Sequence, residues 1–278
     1  MEKMIPDVLR ENPCPVYCPV CQASINSNNT NGFTCLNGHQ FDQAAEGFIN
    51  LLGRRPRSLF KAQYFNTSRK LMATGFFVGL ERKLLELLYA EYAVNDSLTI
   101  LDAGTGEGML FSNILLCMRW DQYRHQGIGI DHFMPAVKTA ARHFEKALWL
   151  VADIQKIPLK SGSVDVVLNT LAPANYEEFL RILQPGGLLI KTIPGPEHLK
   201  ELSVHKHIHG NDHTQELFRQ YFGQLQQVRV RFQKELLEEE KDLVLNMPAT
   251  AVQCEELELQ QLSTITIDLI ILCGRKAY

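Results

Sequence analysis

Leu98-Thr99-Ile100-Leu101-Asp102-Ala103-Gly104-Thr105-Gly106-Glu107-Gly108-Met109 is the stretch on which the fold of this 278-residue chain turns. A short β-like run ends on an acid, three glycines follow at alternate positions, and Met109 to Met118 then reads as a helix. A strand that feeds a glycine loop and then a helix opens a βαβ unit. Gly104 and Gly106 would let the backbone turn tightly and approach a ligand closely. The helix start beyond them offers unpaired N–H groups and a positive dipole end. In open α/β sheets a ligand sits at this place, beyond the carboxyl end of the strand where strand order reverses.

The alternation continues downstream. Gly127 to Ile130, Leu148 to Val151, Val164 to Leu168 and Leu188 to Ile193 are expected strands. Pro135 to Phe144 and Tyr176 to Leu183 are expected helices, the second closed by Pro185-Gly186-Gly187. Val228 to Phe232 and Thr264 to Leu272 add two strands around a helical stretch, so a mostly parallel, seven-stranded α/β sheet is expected. Upstream, Leu80, Leu84, Leu85, Leu87 and Leu88 recur at helical spacing within Phe76 to Tyr92. Three regions result: a small module over residues 1–52, a basic linker with helices over 53–97, and the α/β domain over 98–278.

A glycine loop alone is shared by many nucleotide-binding proteins. The dinucleotide pattern G-x-G-x-x-G would need a third glycine at position 109, which is Met109. The loop is instead D-x-G-x-G-x-G, and it resembles the first motif of class I, Rossmann-like methyltransferases. Asp131 follows the second strand, Asp153 the third, and Leu183-Gln184-Pro185-Gly186-Gly187 precedes the fifth. Any single Asp after a strand is most simply a turn or cap residue; four such markers in order are not. The resemblance implies S-adenosyl-L-methionine as cofactor, with Asp102 at its methionine end, Asp131 on the ribose hydroxyls and Asp153 at the adenine amino group. Gly104, Gly106 and Glu107 would complete the loop around it.

Of seven cysteines, Cys14, Cys18, Cys21 and Cys35 crowd the N-terminus, while Cys117, Cys254 and Cys273 are single residues in apolar surroundings. Cys18-Pro19-Val20-Cys21 is a C-x-x-C knuckle, and Cys35-Leu36-Asn37-Gly38-His39 adds C-x₃-H after thirteen residues. Three thiolates and an imidazole at these spacings suit a closed, structural Zn²⁺ site. A redox C-x-x-C would need a βαβ context that residues 14–40 lack. Cys14 is an alternative fourth ligand.

The net charge of −3 hides an asymmetry: residues 1–75 carry eight Lys or Arg against five Asp or Glu. Arg54, Arg55, Arg57, Lys61, Arg69 and Lys70 fall in a stretch from Gly47 to Leu80 without an acid. Such a stretch can direct a polyanion to one face, or be an ordinary solvated linker. No apolar run is long enough to span a membrane and residues 1–12 do not resemble a signal peptide, so a cytoplasmic protein is expected.

Beyond the cysteine cluster, His39-Gln40-Phe41-Asp42 and Glu46-Gly47-Phe48-Ile49-Asn50-Leu51-Leu52 follow, and further on Ala172-Pro173-Ala174-Asn175 and Thr192-Ile193-Pro194-Gly195-Pro196-Glu197-His198-Leu199. A zinc ribbon with these flanks, joined to a class I methyltransferase, resembles the RlmA family of bacterial 23S ribosomal RNA guanine-N1 methyltransferases. The resemblance implies methylation in the hairpin 35 loop, and a homodimer whose zinc modules flank an RNA cleft. It also implies cofactor contacts from Phe77, where some relatives carry Tyr, and from His198. Departures occur at Leu245-Asn246-Met247-Pro248 and at Arg69-Lys70, where the family's arginine pair is reduced.

Transfer of a methyl group from a sulfonium needs orientation and exclusion of water more than activation. Guanine N1 carries a proton that must leave, and no residue in the sequence identifies itself as the base. Asn169, at the end of the fourth strand, is a candidate for orienting the base edge, although such an Asn is equally a turn residue. A small-molecule or protein methyltransferase, and a catalytically silent zinc-ribbon RNA-binding protein, remain alternatives.

Overall fold

A computed structural model of the chain describes residues 15–28, 32–52, 62–202, 211–223, 226–245 and 262–277. Cys14, Arg54, Arg55, Arg57, Lys61 and Cys254 lie outside the described residues, as do the last three positions of the Leu245–Pro248 motif. β1 (Ile25–Asn28), β2 (Gly32–Cys35) and β3 (Gln40–Asp42) form a three-stranded antiparallel sheet. There follow β4 (Ile49–Asn50), α1 (Ala62–Ala73), α2 (Val78–Glu91), β5 (Ser97–Ala103), α3 (Met109–Trp120), β6 (Arg124–Asp131), α4 (Met134–His143) and β7 (Ala147–Val151). The chain continues through β8 (Val164–Thr170), α5 (Tyr176–Ile182), β9 (Leu183–Pro194), α6 (Asn211–Phe222), β10 (Gln226–Glu235), α7 (Glu238–Leu245) and β11 (Thr264–Arg275).

The large sheet runs β10-β11-β9-β8-β5-β6-β7-β4. From β9 to β4 every pairing is parallel, while β11 is antiparallel to both β9 and β10. β5 is flanked by β6 and β8, so strand order reverses at the end of the strand that carries Asp102. This is the class I methyltransferase architecture.

Two expectations need correction. Among the described residues the sheet has eight strands, not seven, because Ile49 and Asn50 pair in parallel with Leu150 and Val151 of β7. A two-residue strand has no periodicity to betray it in the sequence. Pro185-Gly186-Gly187 does not separate α5 from the fifth strand: β9 begins at Leu183, pairs with Val164, and bulges before Leu188 meets Val166. Gly186, at φ +77°, lets the bulged strand turn.

Each sheet face has its own core. One is filled by Leu84, Leu88, Phe111, Leu115, Val137 and Trp149, mainly from α2, α3, α4 and β7. The other joins Leu101, Leu150, Phe179 and Phe218 to Val16, Ile25 and Phe33 of the N-terminal module. The connection from β7 to β8, residues 152–163, has no helix. The module packs there instead. Tyr17 N–H donates to Pro158 O at 3.0 Å and Lys160 N–H to Pro15 O at 2.8 Å, with Val16 bridged to Leu159. An apolar sheet face must be covered, and here the ribbon covers what a crossover helix otherwise would.

Candidate active site and metal centre

Two tight turns bring the metal ligands together. In the first, Gln22 N–H donates to Cys18 O at 2.8 Å; in the second, Gly38 N–H donates to Cys35 O at 2.9 Å. The ligand atoms of Cys18, Cys21, Cys35 and His39 all lie within 4.8 Å of one another. Cys21 Sγ to Cys35 Sγ is 3.7 Å, Cys18 Sγ to His39 Nδ1 3.7 Å, and Cys35 Sγ to His39 Nδ1 3.3 Å. Zinc–ligand bonds in a tetrahedron put two sulfurs about 3.8 Å apart and a sulfur and nitrogen about 3.5 Å apart. These three separations are close to the tetrahedral values, and the set fits Zn²⁺. The Ala23 N–H directed at Cys21 helps to lower its thiol to about 6, towards the thiolate a metal needs. Four protein ligands close the coordination shell, so this zinc is structural. Four groups converging on one point also dispose of a two-cysteine redox pair.

The glycine loop is held against β6 by backbone bonds: Gly104 and Thr105 N–H both donate to Ile130 O, at 2.9 and 3.0 Å. Gly104, Gly106 and Gly108 all have positive φ. A Cβ on Gly104 would collide with the Ala172 methyl, and one on Gly108 would sit 2.6 Å from the Trp149 ring. Gly108 precedes α3 in left-handed conformation with no side-chain cap, which leaves the first-turn N–H groups to a ligand. Asp131, at the end of β6, accepts from Gly106 N–H at 3.0 Å through one oxygen and from Phe133 N–H at 2.8 Å through the other.

Asp102, Glu107 and Asp131 are all buried. Burial pushes Asp102 and Glu107 up to about 7 and raises Asp131 as well. No Lys or Arg ion pair to any of the three is present among the described residues; Asp131 has only the half-exposed His132, 3.6 Å away. Three buried carboxylates without a cation of their own are costly. They suit a ligand that brings positive charge, as S-adenosyl-L-methionine does with its sulfonium and ammonium groups.

Sequence reasoning missed the cover of this loop. Phe65 of α1 stacks on Phe133, ring centroids 4.8 Å apart, and approaches within 3.7 Å of the place a Gly106 Cβ would take. Ser68, one turn on, donates to Glu107 at 3.2 Å. Asp153 is exposed beyond the end of β7, where it accepts from Gln155 N–H at 2.9 Å. Phe77 is buried at the start of α2, edge-on to Phe76 at 5.1 Å. Its ring belongs to the core that holds Phe111 and Trp149.

Asn169 and His198 lie on the other side of the loop. Asn169 is fully buried, and its amide donates to Ala103 O at 2.6 Å and Pro173 O at 3.0 Å. Both donors are therefore spent on backbone, while Oδ1 has no partner among the described residues. His198 is buried too, and its Nδ1 accepts from Asp268 N–H at 3.3 Å. It lines a cavity with Ala172, Tyr176, Lys191 and Thr192. Among the described residues no helix is long and apolar enough to cross a membrane.

Comparison with known proteins agrees in both modules. Residues 16–55 match the family model for the RlmA N-terminal zinc ribbon, and residues 101–191 match a methyltransferase domain. The Bacillus subtilis protein YxjB, provisionally named a 23S rRNA (guanine-N1) methyltransferase, is 29% identical over 93% of this chain and 96% of its own. The Streptomyces fradiae 23S rRNA (guanine(748)-N1) methyltransferase is 33% identical over 66% of this chain and 65% of its own. A Micromonospora griseorubida protein, provisionally named a 23S rRNA (guanine-N1) methyltransferase, is 30% identical over 72% of this chain and 70% of its own. With both family models matched in chain order and a relative 30% identical over 70% of its length, this chain belongs to the RlmA family of zinc-ribbon, S-adenosyl-L-methionine-dependent methyltransferases.

Proposed function

We propose that the chain methylates N1 of a guanine in 23S ribosomal RNA, in the loop of hairpin 35, as a cytoplasmic homodimer. The observation that carries this reading is the fusion of a ribbon of the RlmA type to a methyltransferase sheet through one shared core. A ribbon locked onto the sheet is a rigid surface at fixed distance from the cofactor loop, as recognition of a folded RNA requires. A loop guanine is cheaper to present than a paired one.

The cofactor supplies an electrophilic methyl group on a positively charged sulfur. Asp102 and Glu107 would face the methionine end, Asp131 the ribose hydroxyls through its remaining lone pairs, and Asp153 the adenine amino group. Gly104 and Gly106 let the backbone come close, and Phe65 with Phe133 walls the loop from water. His198 and Phe77 are further cofactor positions by family likeness. Asn169 can serve the target base only as an acceptor through Oδ1, since its donors are engaged.

The test is mass mapping of methylated guanines in 23S rRNA from cells with and without this protein. Loss of one N1-methylguanine in hairpin 35, restored by the purified chain and cofactor, is the expected result. An unchanged map would defeat the reading, and transfer of label to a protein or small molecule would replace it.

A further inference from the structure

A cavity of about 390 Å³ opens at the carboxyl ends of β8 and β9, bounded by Leu171 to Ala174, by Lys191 to Pro194, by His198 and by Thr214 and Leu217 of α6. It adjoins the glycine loop, because Ala172 in its wall is the residue that a Cβ on Gly104 would strike. Its size suits a small organic ligand. Lys191, only 4% exposed, lies in it and donates to Ala172 O at 2.7 Å. Asn169 is its direct neighbour across the β8–β9 pairing. Among the described residues, Asn169 Oδ1 and Tyr176 OH are buried without partners. Buried polar atoms are nearly always satisfied, and an unpaired one is costly. Two of them on the sheet face that carries Lys191 mark a place for a ligand with a polar edge.

We propose that Lys191, as the neutral amine, is the base that takes the N1 proton of the target guanine in this cavity. The proposal rests on the guanine-N1 reading above. The N1–H bond breaks, its electron pair stays on N1 and its proton goes to Nζ. N1 bonds to the methyl carbon as the S–C bond breaks and its pair returns to sulfur, which leaves as a thioether. Positive charge passes from sulfur to Nζ, and the ammonium then gives its proton to water.

Burial without a carboxylate partner lowers Lys191 to about 8, so a usable fraction is neutral near pH 7. The titratable groups that share its cavity are His198 and Tyr176. Its neighbours across the strands are uncharged, Asn169 on β8 and Leu272 on β11. Asp268, also on β11, is held by Arg229 at 2.7 Å. Among the described residues no carboxylate lines the cavity.

The experiment is single-turnover methyl transfer from S-adenosyl-L-methionine to unmethylated 23S rRNA by the full chain, followed from pH 6 to 9.5. At saturating cofactor, the wild-type rate should rise about tenfold per pH unit and level off near pH 8. Lys191→Met, which keeps the buried stem, should lose about hundredfold or more and its break near pH 8, with cofactor affinity within twofold of wild type. Lys191→Arg should be equally slow, and methylamine should restore transfer to Lys191→Ala. A plateau reached below pH 7 would point to another base, such as His198, and overturn the proposal. So would a Lys191→Met rate within threefold of wild type. A wild-type chain that transfers nothing to guanine N1 would remove the reading beneath the proposal, and the proposal with it.

Discussion

On the reading proposed above, the two sides of the site would recognise their ligands by different means. At the ends of β5 and β6 the work is done by backbone: glycine N–H groups, a strand carbonyl and a helix start, with carboxylates around them. At the ends of β8 and β9 it would fall to buried side chains, Asn169, Lys191 and Tyr176. Backbone recognition demands glycine at fixed spacing, and glycine at fixed spacing is visible in a sequence. Side-chain recognition inside a strand is not, since Lys191 in Leu188-Leu189-Ile190-Lys191-Thr192-Ile193 looks only like an interruption of an apolar run.

If the first side depends on backbone approach, one side chain there should end it. Gly104 has φ +85°, and any Cβ would meet Ala172. Gly104→Val should therefore abolish measurable cofactor binding by isothermal calorimetry while the zinc content stays at one ion per chain. Retained binding would mean that the loop is not where the ligand is held.

The ribbon offers a second comparison, because it is at once a metal site and part of the sheet. Structural zinc in small ribbons contributes on the order of 10 kcal/mol to folding. Here Cys18 and Cys35 share a core with Leu101 and Leu150, and β4 pairs with β7. Cys35→Ser, or chelation of the metal, should thus lower the melting temperature of the whole chain by about 20 °C or more, not merely loosen its first residues. A calorimetric trace in which the main transition keeps its midpoint would separate the ribbon from the sheet energetically.

What was legible follows the same division. The zinc ligands could be read because each pair sits in one turn, where spacing is geometry. The place of Asp131 beside the glycine loop could be read because it follows a strand in a known order. β4 could not, being two residues long, and neither could the role of α1. In Ala62–Ala73 the apolar anchors Phe65 and Leu71 are too few to announce a face, and the helix is defined by what it covers. Asn169 was found for its place at a strand end, yet its two donors go to Ala103 and Pro173. A sequence cannot say which lone pair is left over.

Titration distinguishes the sides next. Asp102 and Glu107 are raised to about 7 by burial, so a cationic ligand must find them ionised. Cofactor affinity should be constant above pH 8 and fall about tenfold per unit below 7 for each carboxylate that must lose a proton. The fold responds in the opposite sense. A carboxyl whose pKa is raised on folding binds its proton more tightly when folded. These two groups therefore favour the folded, ligand-free chain as pH drops from 7 towards the ordinary range near 4, and oppose it above 7. Affinity measured between pH 6 and 8 checks the first trend and ligand-free melting the second; flat profiles in both would mean that the carboxylates are not the ligand's counter-charge.

The smallest expected effect concerns Asp153, where the two means of recognition meet in one side chain. One oxygen accepts from Gln155 N–H and shapes the turn after β7; the other is available to an adenine amino group. Removing a single exposed hydrogen bond costs about 1 kcal/mol, or roughly fivefold in affinity. Asp153→Ala should weaken S-adenosyl-L-methionine by about that factor. Asp153→Asn, whose carbonyl oxygen can still serve the turn while its amino group cannot accept from adenine, isolates the ligand contribution. If both variants bind as wild type does, Asp153 is a turn residue alone, and the adenine end is held by backbone in the same manner as the glycine loop. If Asp153→Asn is weakened as much as Asp153→Ala, the carboxylate itself meets the ligand, and the cofactor side of the cleft is less purely a backbone surface than Gly104 and Gly106 suggest.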